Sequence, residues 1–518
     1  MAEDLLSYSK IISIEEFAIL REKFRKEGKK VIHCHGVFDL LHPGHIAHLE
    51  EAKGLGDILV ASVTSSSYVN KGPGRPFFSD ELRMKSLAAL ECVNYVILSK
   101  DSTPLKIFEF IQPDLYVKGK EYEKPEDDIT QNISREAERV KFYGGSIYFT
   151  DKITFSSTKL LNENFPVFSP DVKDYLRSLS SEYSLQDITK MVDNLRNIKV
   201  MVIGDIIIDE YVFCNVQGLV SKDRALSARH IKSEQYLGGA LAVARHLASF
   251  VDNITVCSMI GTEPSGIYKT IIDNLNGSIQ LDLLSDPNYC TAVKRRYIEK
   301  HGIRNDYDKL FSINYLMEDD EENIDRTLFY KKLENNIDKF DIVILTDYGH
   351  GLIDKTAMEI IQEKARFLAV NCQANSSNYG TNLITKYNRA DTFALDLREL
   401  KLAYNTNAKD YEQLLSKLSK DLKCSIGWLT LGSLGAAAVS EEGGIIRGPA
   451  LTITVQDTVG AGDAFYAISS LCAKTGLTAE IGTFFGNMAG AMSANIIGNS
   501  KAIDKTSFLK YATTLLKV

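Results

Sequence analysis

The sequence predicts an α/β protein of two domains, each built on a parallel sheet. Three observations carry that expectation. The chain has 518 residues, more than one ordinary domain holds. Apolar, β-branched runs alternate with helical stretches in both halves, as parallel strands covered on two faces require. Between the halves, the FPVFSP stretch at 165–170 breaks the alternation, because its prolines cannot continue a helix.

The elements follow in order. A charged helical stretch at 15–27 leads into a strand at 31–37. A helix begins near Pro43, where proline is tolerated because its missing N–H would be an orphan in a first turn. Residues 57–63 form a second apolar strand, 80–90 a helix, and 95–98, 115–117 and 146–149 further strands. After the break come helical stretches at 171–179 and 185–195, with Ser184 and Asp187 spaced as an N-cap signal. A new strand at 199–203 restarts the alternation, and 341–345 and 367–370 read as buried strands. The expected domains are therefore 1–165 and 196–518, joined by a helical linker at 166–195.

Composition bounds the function. A hydrophobic share of 44% and a charged share of 25% are those of a soluble globular chain and exclude a disordered or fibrous one. Lys and Arg number 60 against 68 Asp and Glu, a formal charge of −8. That excludes the overall electrostatics of a nucleic-acid coat but leaves local basic pockets for small anions. The acidic amino terminus predicts no signal peptide, and no apolar run approaches the ~20 residues that span a bilayer. Eight scattered cysteines include no C-x-x-C pair, so zinc and dithiol chemistry are not indicated. Cys257 and Cys372, in apolar surroundings, are expected to be buried thiols, and a reducing cytoplasm fits best.

The string CHGVFDLLHPGH at 34–45 is the strongest motif of the first half. It places His42 and His45 just after a strand and at a helix start, on the edge where open α/β sheets bind ligands. Free N–H groups and the positive dipole end make phosphate the natural ligand there, and Gly44 lets backbone approach closely. Two imidazoles can donate to phosphoryl oxygens as charge moves to a leaving group. Alone, such a pair also fits a cap or a surface feature. The whole string resembles the H-x-G-H nucleotidyltransferase superfamily of cytidylyltransferases and adenylyltransferases. The KGPGRP segment at 71–76, Arg83, PDLYVKGKEY at 113–122 and FSST at 155–158 resemble its further motifs, with Glu121 in place of the usual Asp. The resemblance covers residues 28–165. It implies a Rossmann-like fold, catalytic roles for His42, His45 and Lys71, and nucleotide or phosphate contacts from Gly36, Phe38, Gly44 and Lys118. It also implies that Ser156, Ser157 and Thr158 hold pyrophosphate. Asp39 either orients the loop or is an Asx-turn residue.

The second half carries DTVGAGDAF at 457–465. Gly460, Ala461 and Gly462 place small residues at a helix entrance, where N–H groups can form an anion hole. Asp463 can accept the proton of an incoming hydroxyl. Alone, G-A-G-D also fits a glycine-rich turn with a capping Asp. The segment resembles the D-T-x-G-A-G-D signature of ribokinase-like (PfkB) carbohydrate kinases. GDIIID at 204–209, GGA at 238–240, DYGHG at 347–351 and TLGSLG at 430–435 resemble their other motifs. The resemblance covers 196–518 and implies a ribokinase-like fold with a small β lid. It gives Asp463 as catalytic base, Thr430, Gly432, Gly435, Gly460, Ala461 and Gly462 as nucleotide contacts, and Asp205, Asp209, Gly238 and Gly239 as substrate contacts. Departures fall at the substrate end: Ala242 stands where asparagine is usual, NCQAN at 371–375 replaces V-D-P-x-x, and DLRE at 396–399 replaces P-N-x-x-E.

Together the halves resemble bifunctional heptose kinase/adenylyltransferases, with the domain order inverted. The implied function is phosphorylation of a sugar or sugar phosphate by ATP, then nucleotidyl transfer from ATP or CTP to give an NDP-sugar and pyrophosphate. Mg²⁺ is the implied cofactor, with no metal ligand assigned. The partners are a sugar or polyol phosphate and a nucleoside triphosphate, with no nucleic acid and no membrane. A homodimer is expected through lid strands at 211–213 and 296–298. Rival readings are a CDP-forming enzyme on another phosphorylated substrate, and a kinase half kept as a non-catalytic module.

Overall fold

The computed structural model describes residues 9–69, 72, 74–120, 132–150, 162, 168–262, 267–275, 277–301, 306–317, 323–375, 378–440, 442–452 and 455–517. The chain divides into two compact units, Met1–Glu182 with Leu509–Val518, and Tyr183–Phe508.

In the first unit, α1 (Ile14–Lys26) opens with a Ser13–Glu16 capping box. It leads to β1 (Val31–Gly36), α2 (Pro43–Gly54), β2 (Ile58–Thr64), α3 (Asp80–Ala88), β3 (Tyr95–Ser99), β4 (Leu115–Gly119), α4 (Asn132–Phe142), β5 (Ser146–Thr150) and α5 (Pro170–Glu182). The five strands form one parallel sheet in the order β3-β2-β1-β4-β5. The chain builds outward from β1 to β3 and then returns to place β4 on the other side of β1. That reversal opens a crevice beyond the carboxyl end of β1. Ile32, Leu49, Val63, Leu87 and Val96 are fully buried in its core. The strands expected from the sequence all form, with ends moved by one or two residues.

The second unit starts with α6 (Leu185–Asp193), whose capping box is the Ser184–Asp187 pair read from the sequence. Its main sheet contains β6 (Lys199–Gly204), β9 (Asn253–Ile260), β10 (Ile279–Ser285), β13 (Ile342–Asp347), β14 (Leu368–Cys372), β15 (Thr392–Asp396), β16 (Ile426–Thr430), β17 (Ala436–Val439) and β18 (Ile445–Gly448). The order is β10-β9-β6-β13-β14-β15-β16-β17-β18, with only the last two pairings antiparallel. Met201, Ile203, Leu345, Val370, Leu395 and Leu429 anchor its core. A second, four-stranded sheet is made by β7 (Ile206–Leu219), β8 (Leu226–Gly239), β11 (Ala292–His301) and β12 (Asp306–Tyr315), in the order β12-β11-β7-β8. Residues 211–213 and 296–298 do lie in this lid, but on its inner strands β7 and β11, and the edges belong to β8 and β12. Three helices complete the frame of the site: α7 (Ala240–Leu247), α8 (Leu397–Ala403) and α9 (Ala461–Lys474).

All eight cysteines are free, and Cys257 and Cys372 are buried. Among the described residues no helix is long and apolar enough to cross a membrane.

Candidate active sites

In the first unit the crevice beyond β1 holds the histidine pair. His42 is the N-cap of α2, and its Nδ1 accepts the His45 N–H at 3.3 Å. The two rings stack, with centroids 3.9 Å apart and 16° between planes. Phe38 lies edge-on to His45 and takes a left-handed φ of 49°. Its ring covers Gly36, where an added Cβ would come within 3.2 Å of it. Gly44 sits in the first turn of α2. Both imidazoles therefore stand at a helix amino terminus, where backbone N–H groups and dipole favour an anion.

The surrounding loops are held from below. Asp39 accepts the N–H groups of Phe77 and Phe78 at 2.9 and 3.0 Å, so it orients the segment that follows β2. Buried Arg83 donates to the carbonyls of Val37, Thr64 and Phe78 and to Asp80. Lys118, at the end of β4, pairs with buried Glu136 at 3.0 Å. The sequence reading missed the hydrogen-bonded chain His33–Ser62–His35–Thr64, which runs along β1 and β2 toward the site. Its signal was the alternation of His33 and His35, which points both rings to one face of β1. Lys71, Ser156, Ser157 and Thr158 lie outside the described residues.

The second unit contains a cavity of about 940 Å³ at the carboxyl ends of β13 to β16, under the lid. Thr430, Gly432 and Gly435 line it from one side, and Gly460, Ala461, Gly462 and Asp463 from another. Gly460 is the N-cap of α9 with φ +83°. An added Cβ there would lie 1.8 Å from Oδ1 of Asn499, which closes the same wall. Asp463 accepts the Tyr348 hydroxyl at 2.8 Å. Burial pushes its carboxyl up to about 6, although the Tyr348 bond and Lys294 pull it down.

The substrate-end residues divide. Asp209 and Gly239 line the cavity, and Asp209 forms an ion pair with Arg296. Gly238 has no room for a side chain, since a Cβ would meet Asp209 Oδ2 at 2.6 Å. Asp205 points elsewhere: it accepts the N–H groups of Tyr348 and His350 at 3.0 and 3.4 Å. It is buried, which with nearby Asp347 raises it to about 7. It braces the turn after β13 and does not line the cavity. Ala242 is buried in α7.

Lys294, Arg296, Tyr348, Asn371 and Glu399 also line the cavity; none was given a role in the site from sequence, and Arg296 was expected only as part of a lid strand. Lys294 and Arg296 had a legible signal, because residues two apart on a strand share a face. Burial lifts Glu399 to about 8, with Asp396 adding to the shift. Asp457, which begins the 457–463 motif, accepts Tyr211 of β7 at 2.8 Å and Lys309 of β12 at 2.9 Å. The lid is thereby tied to the loop that leads into α9, whose first turn carries Asp463.

Comparison with known proteins agrees with this division. Residues 33–163 match the cytidylyltransferase-like family and residues 197–505 the pfkB family carbohydrate kinases. The amino-terminal part is similar to the bifunctional protein HldE of Syntrophotalea carbinolica, 38% identical over 161 residues, which is 30% of this chain and 31% of that protein. HldE of Citrifermentans bemidjiense is 45% identical over 164 residues, 31% of this chain and 32% of that one. The chain thus matches less than a third of the length of these relatives. The structure of Arabidopsis thaliana ribokinase complexed with ribose and ATP aligns with a TM-score of 0.45 and 19% identity, over 62% of this chain and 99% of that one. With more than half of its length matched, the chain belongs to the pfkB family of carbohydrate kinases and carries a cytidylyltransferase-like region ahead of the kinase region.

Proposed function

We propose that the chain carries two activities in sequence: phosphorylation of a sugar phosphate by ATP, then nucleotidyl transfer to the product. The observation that carries the reading is the convergence on one cavity of the 460–462 helix entrance, Asp463, the 430–435 turn and two lid cations. In the second unit, Asp463 takes the proton of a sugar hydroxyl as its oxygen attacks the γ-phosphorus, and ADP leaves. Gly460, Ala461 and Gly462 offer N–H groups to the transferring phosphoryl group. Thr430, Gly432 and Gly435 hold the nucleotide, and Asp209 and Gly239 face the sugar, with Asp205 and Gly238 shaping the wall behind. Lys294 and Arg296 favour a substrate that already bears a phosphate over a neutral sugar.

Mg²⁺ fits this cavity as an ion that arrives with the triphosphate. Among the described residues no group of three His, Cys, Asp or Glu could hold a metal unaided. Asn371 Oδ1 is buried on the cavity wall without a hydrogen-bond partner among the described residues, and with Glu399 it offers hard oxygen to a hydrated ion that keeps several waters. When bound, Mg²⁺ neutralises charge on the β- and γ-phosphates.

In the first unit, the sugar phosphate oxygen attacks the α-phosphorus of ATP or CTP, and pyrophosphate leaves. The nucleophile is already anionic, so positioning and charge stabilisation supply the catalysis. His42 and His45 donate to phosphoryl oxygens, Gly36, Phe38 and Gly44 shape the nucleotide site, and Lys118 adds charge. Lys71, Ser156, Ser157 and Thr158 belong to the same assignment. A cytoplasmic setting and a homodimer through the lid complete the proposal. The lid strands β8 and β12 leave Leu226, Ile231, Phe311 and Ile313 exposed, and unpaired strand edges favour pairing.

The test is a panel of phosphorylated sugars and polyols with ATP or CTP and Mg²⁺, following ADP and pyrophosphate. Substrate-dependent ADP formation followed by pyrophosphate release is expected. Failure of every panel member to give either product would overturn the reading.

A further inference from the structure

We propose that Tyr348 is a positioning residue for phosphoryl transfer: its phenol fixes one oxygen of Asp463 and leaves the other to meet the substrate hydroxyl. The proposal rests on the kinase reading of the cavity. Tyr348 follows β13, lines the cavity and is only 3% exposed. Its hydroxyl donates to Asp463 Oδ1 at 2.8 Å.

The tyrosine itself has little freedom. Its N–H donates to Asp205 at 3.0 Å. Its carbonyl accepts the side-chain amides of Asn375 and Asn378 at 2.8 and 2.7 Å. Lys294 of β11 lies 5.8 Å from the ring centre. A phenol clamped on both sides of its own backbone selects one carboxylate orientation, and a general base is efficient only when so aligned.

The same bond sets when the base is ionised. Asp463 is faced by Asp209 of β7 and Lys294 of β11, and its own charge adds to the upward shift of Glu399 of α8. Burial and Asp209 raise its pKa, while Tyr348 and Lys294 lower it. The Tyr348 phenol is held well above its ordinary pKa by burial and by Asp463, so it remains a donor throughout the working range. A general base must be deprotonated to act. Loss of the Tyr348 bond therefore raises the Asp463 pKa and moves the acid limb of the rate profile to higher pH. Each unit of that displacement lowers the rate about tenfold on the limb and little above it.

Tyr348→Phe keeps the ring and removes one oxygen. Its kcat/KM for ADP formation is compared with wild type from pH 5 to 9, using ATP and the panel sugar phosphate that turns over best. In parallel, ¹³C NMR follows the aspartate carboxyls of both proteins without substrate, with Asp463→Asn identifying the resonance. The expected result is a loss at every pH from the lost alignment, deepened about a further tenfold near pH 6, and an Asp463 carboxyl that titrates at higher pH. An equal loss at every pH, or an unmoved carboxyl titration, overturns the proposal. Absence of sugar-dependent turnover in wild type would instead defeat the kinase reading, and the substrate-free titration still decides whether Tyr348 governs Asp463.

Discussion

His42 and His45 illustrate how two residues become one device. Stacked at 3.9 Å and joined by the His45 N–H to His42 Nδ1 bond, each ring fixes the plane of the other at the start of α2. Replacing either with alanine removes a preorganised donor and loosens its partner. His42→Ala and His45→Ala are each expected to lower pyrophosphate release by ~10²–10³-fold, and near-wild-type release by both would refute the assignment. Such residues were legible in the sequence because their chemistry is local: an H-x-G-H string or a G-A-G-D string places donors and base within one turn. Lys294 and Arg296 were legible only as a shared strand face, and Tyr348 only as part of the DYGHG motif, because their roles come from packing across strands far apart in sequence. Asp205 shows the reverse. Adjacent to the right strand and of the right type, it is taken up by the backbone N–H groups of the turn after β13, and nothing in its neighbours foretold that.

At the scale of elements, the strand–helix junctions decide the geometry. Gly239 ends β8 and caps α7 with φ +59°, and a Cβ there would come within 2.2 Å of the Asp205 carbonyl oxygen. That carbonyl accepts the Ala240 N–H at 3.0 Å, so it cannot withdraw without opening the start of α7. Gly239→Ala is therefore expected to destabilise the second unit by at least the ~1–3 kcal/mol of a strained backbone conformation. Denaturant unfolding monitored at Trp428, the single tryptophan and fully buried in this unit, measures it. An unchanged midpoint would contradict the clash. All five strands of the first sheet, and β6, β13 and β14 of the second unit's main sheet, were legible because strands buried on two faces read as short apolar runs; β9, β10, β15 and β16 were not read from the sequence. The lid was less legible. Residues Leu226–Gly239 of β8 are mostly exposed and polar, its pairing with β7 slips twice, and β11 joins from some eighty residues away. Register over such distances is set by the folded sheet, not by any local pattern.

At the scale of the molecule, each unit has its own buried core, and each holds one of the two proposed sites. The chemistry should then separate by mutation. Asp463→Asn keeps the size of the base but cannot take up the hydroxyl proton, and a positioned general base contributes ~10²–10⁴-fold. Because phosphoryl transfer also relies on positioning and charge, a small residual rate is consistent with the scheme. His42 and His45 belong to the other unit, where the nucleophile is a phosphate oxygen that needs no base. Asp463→Asn is accordingly expected to lose ADP formation from the unphosphorylated hydroxyl while retaining nucleotidyl transfer to the phosphorylated product supplied directly with triphosphate and Mg²⁺. The measurement is pyrophosphate release from that supplied product, with unfolding curves to show that both units remain folded. Loss of both reactions in a folded variant would mean that the sites are not independent. Full survival of the kinase step would remove Asp463 as the base, and with it the assignment of the second cavity.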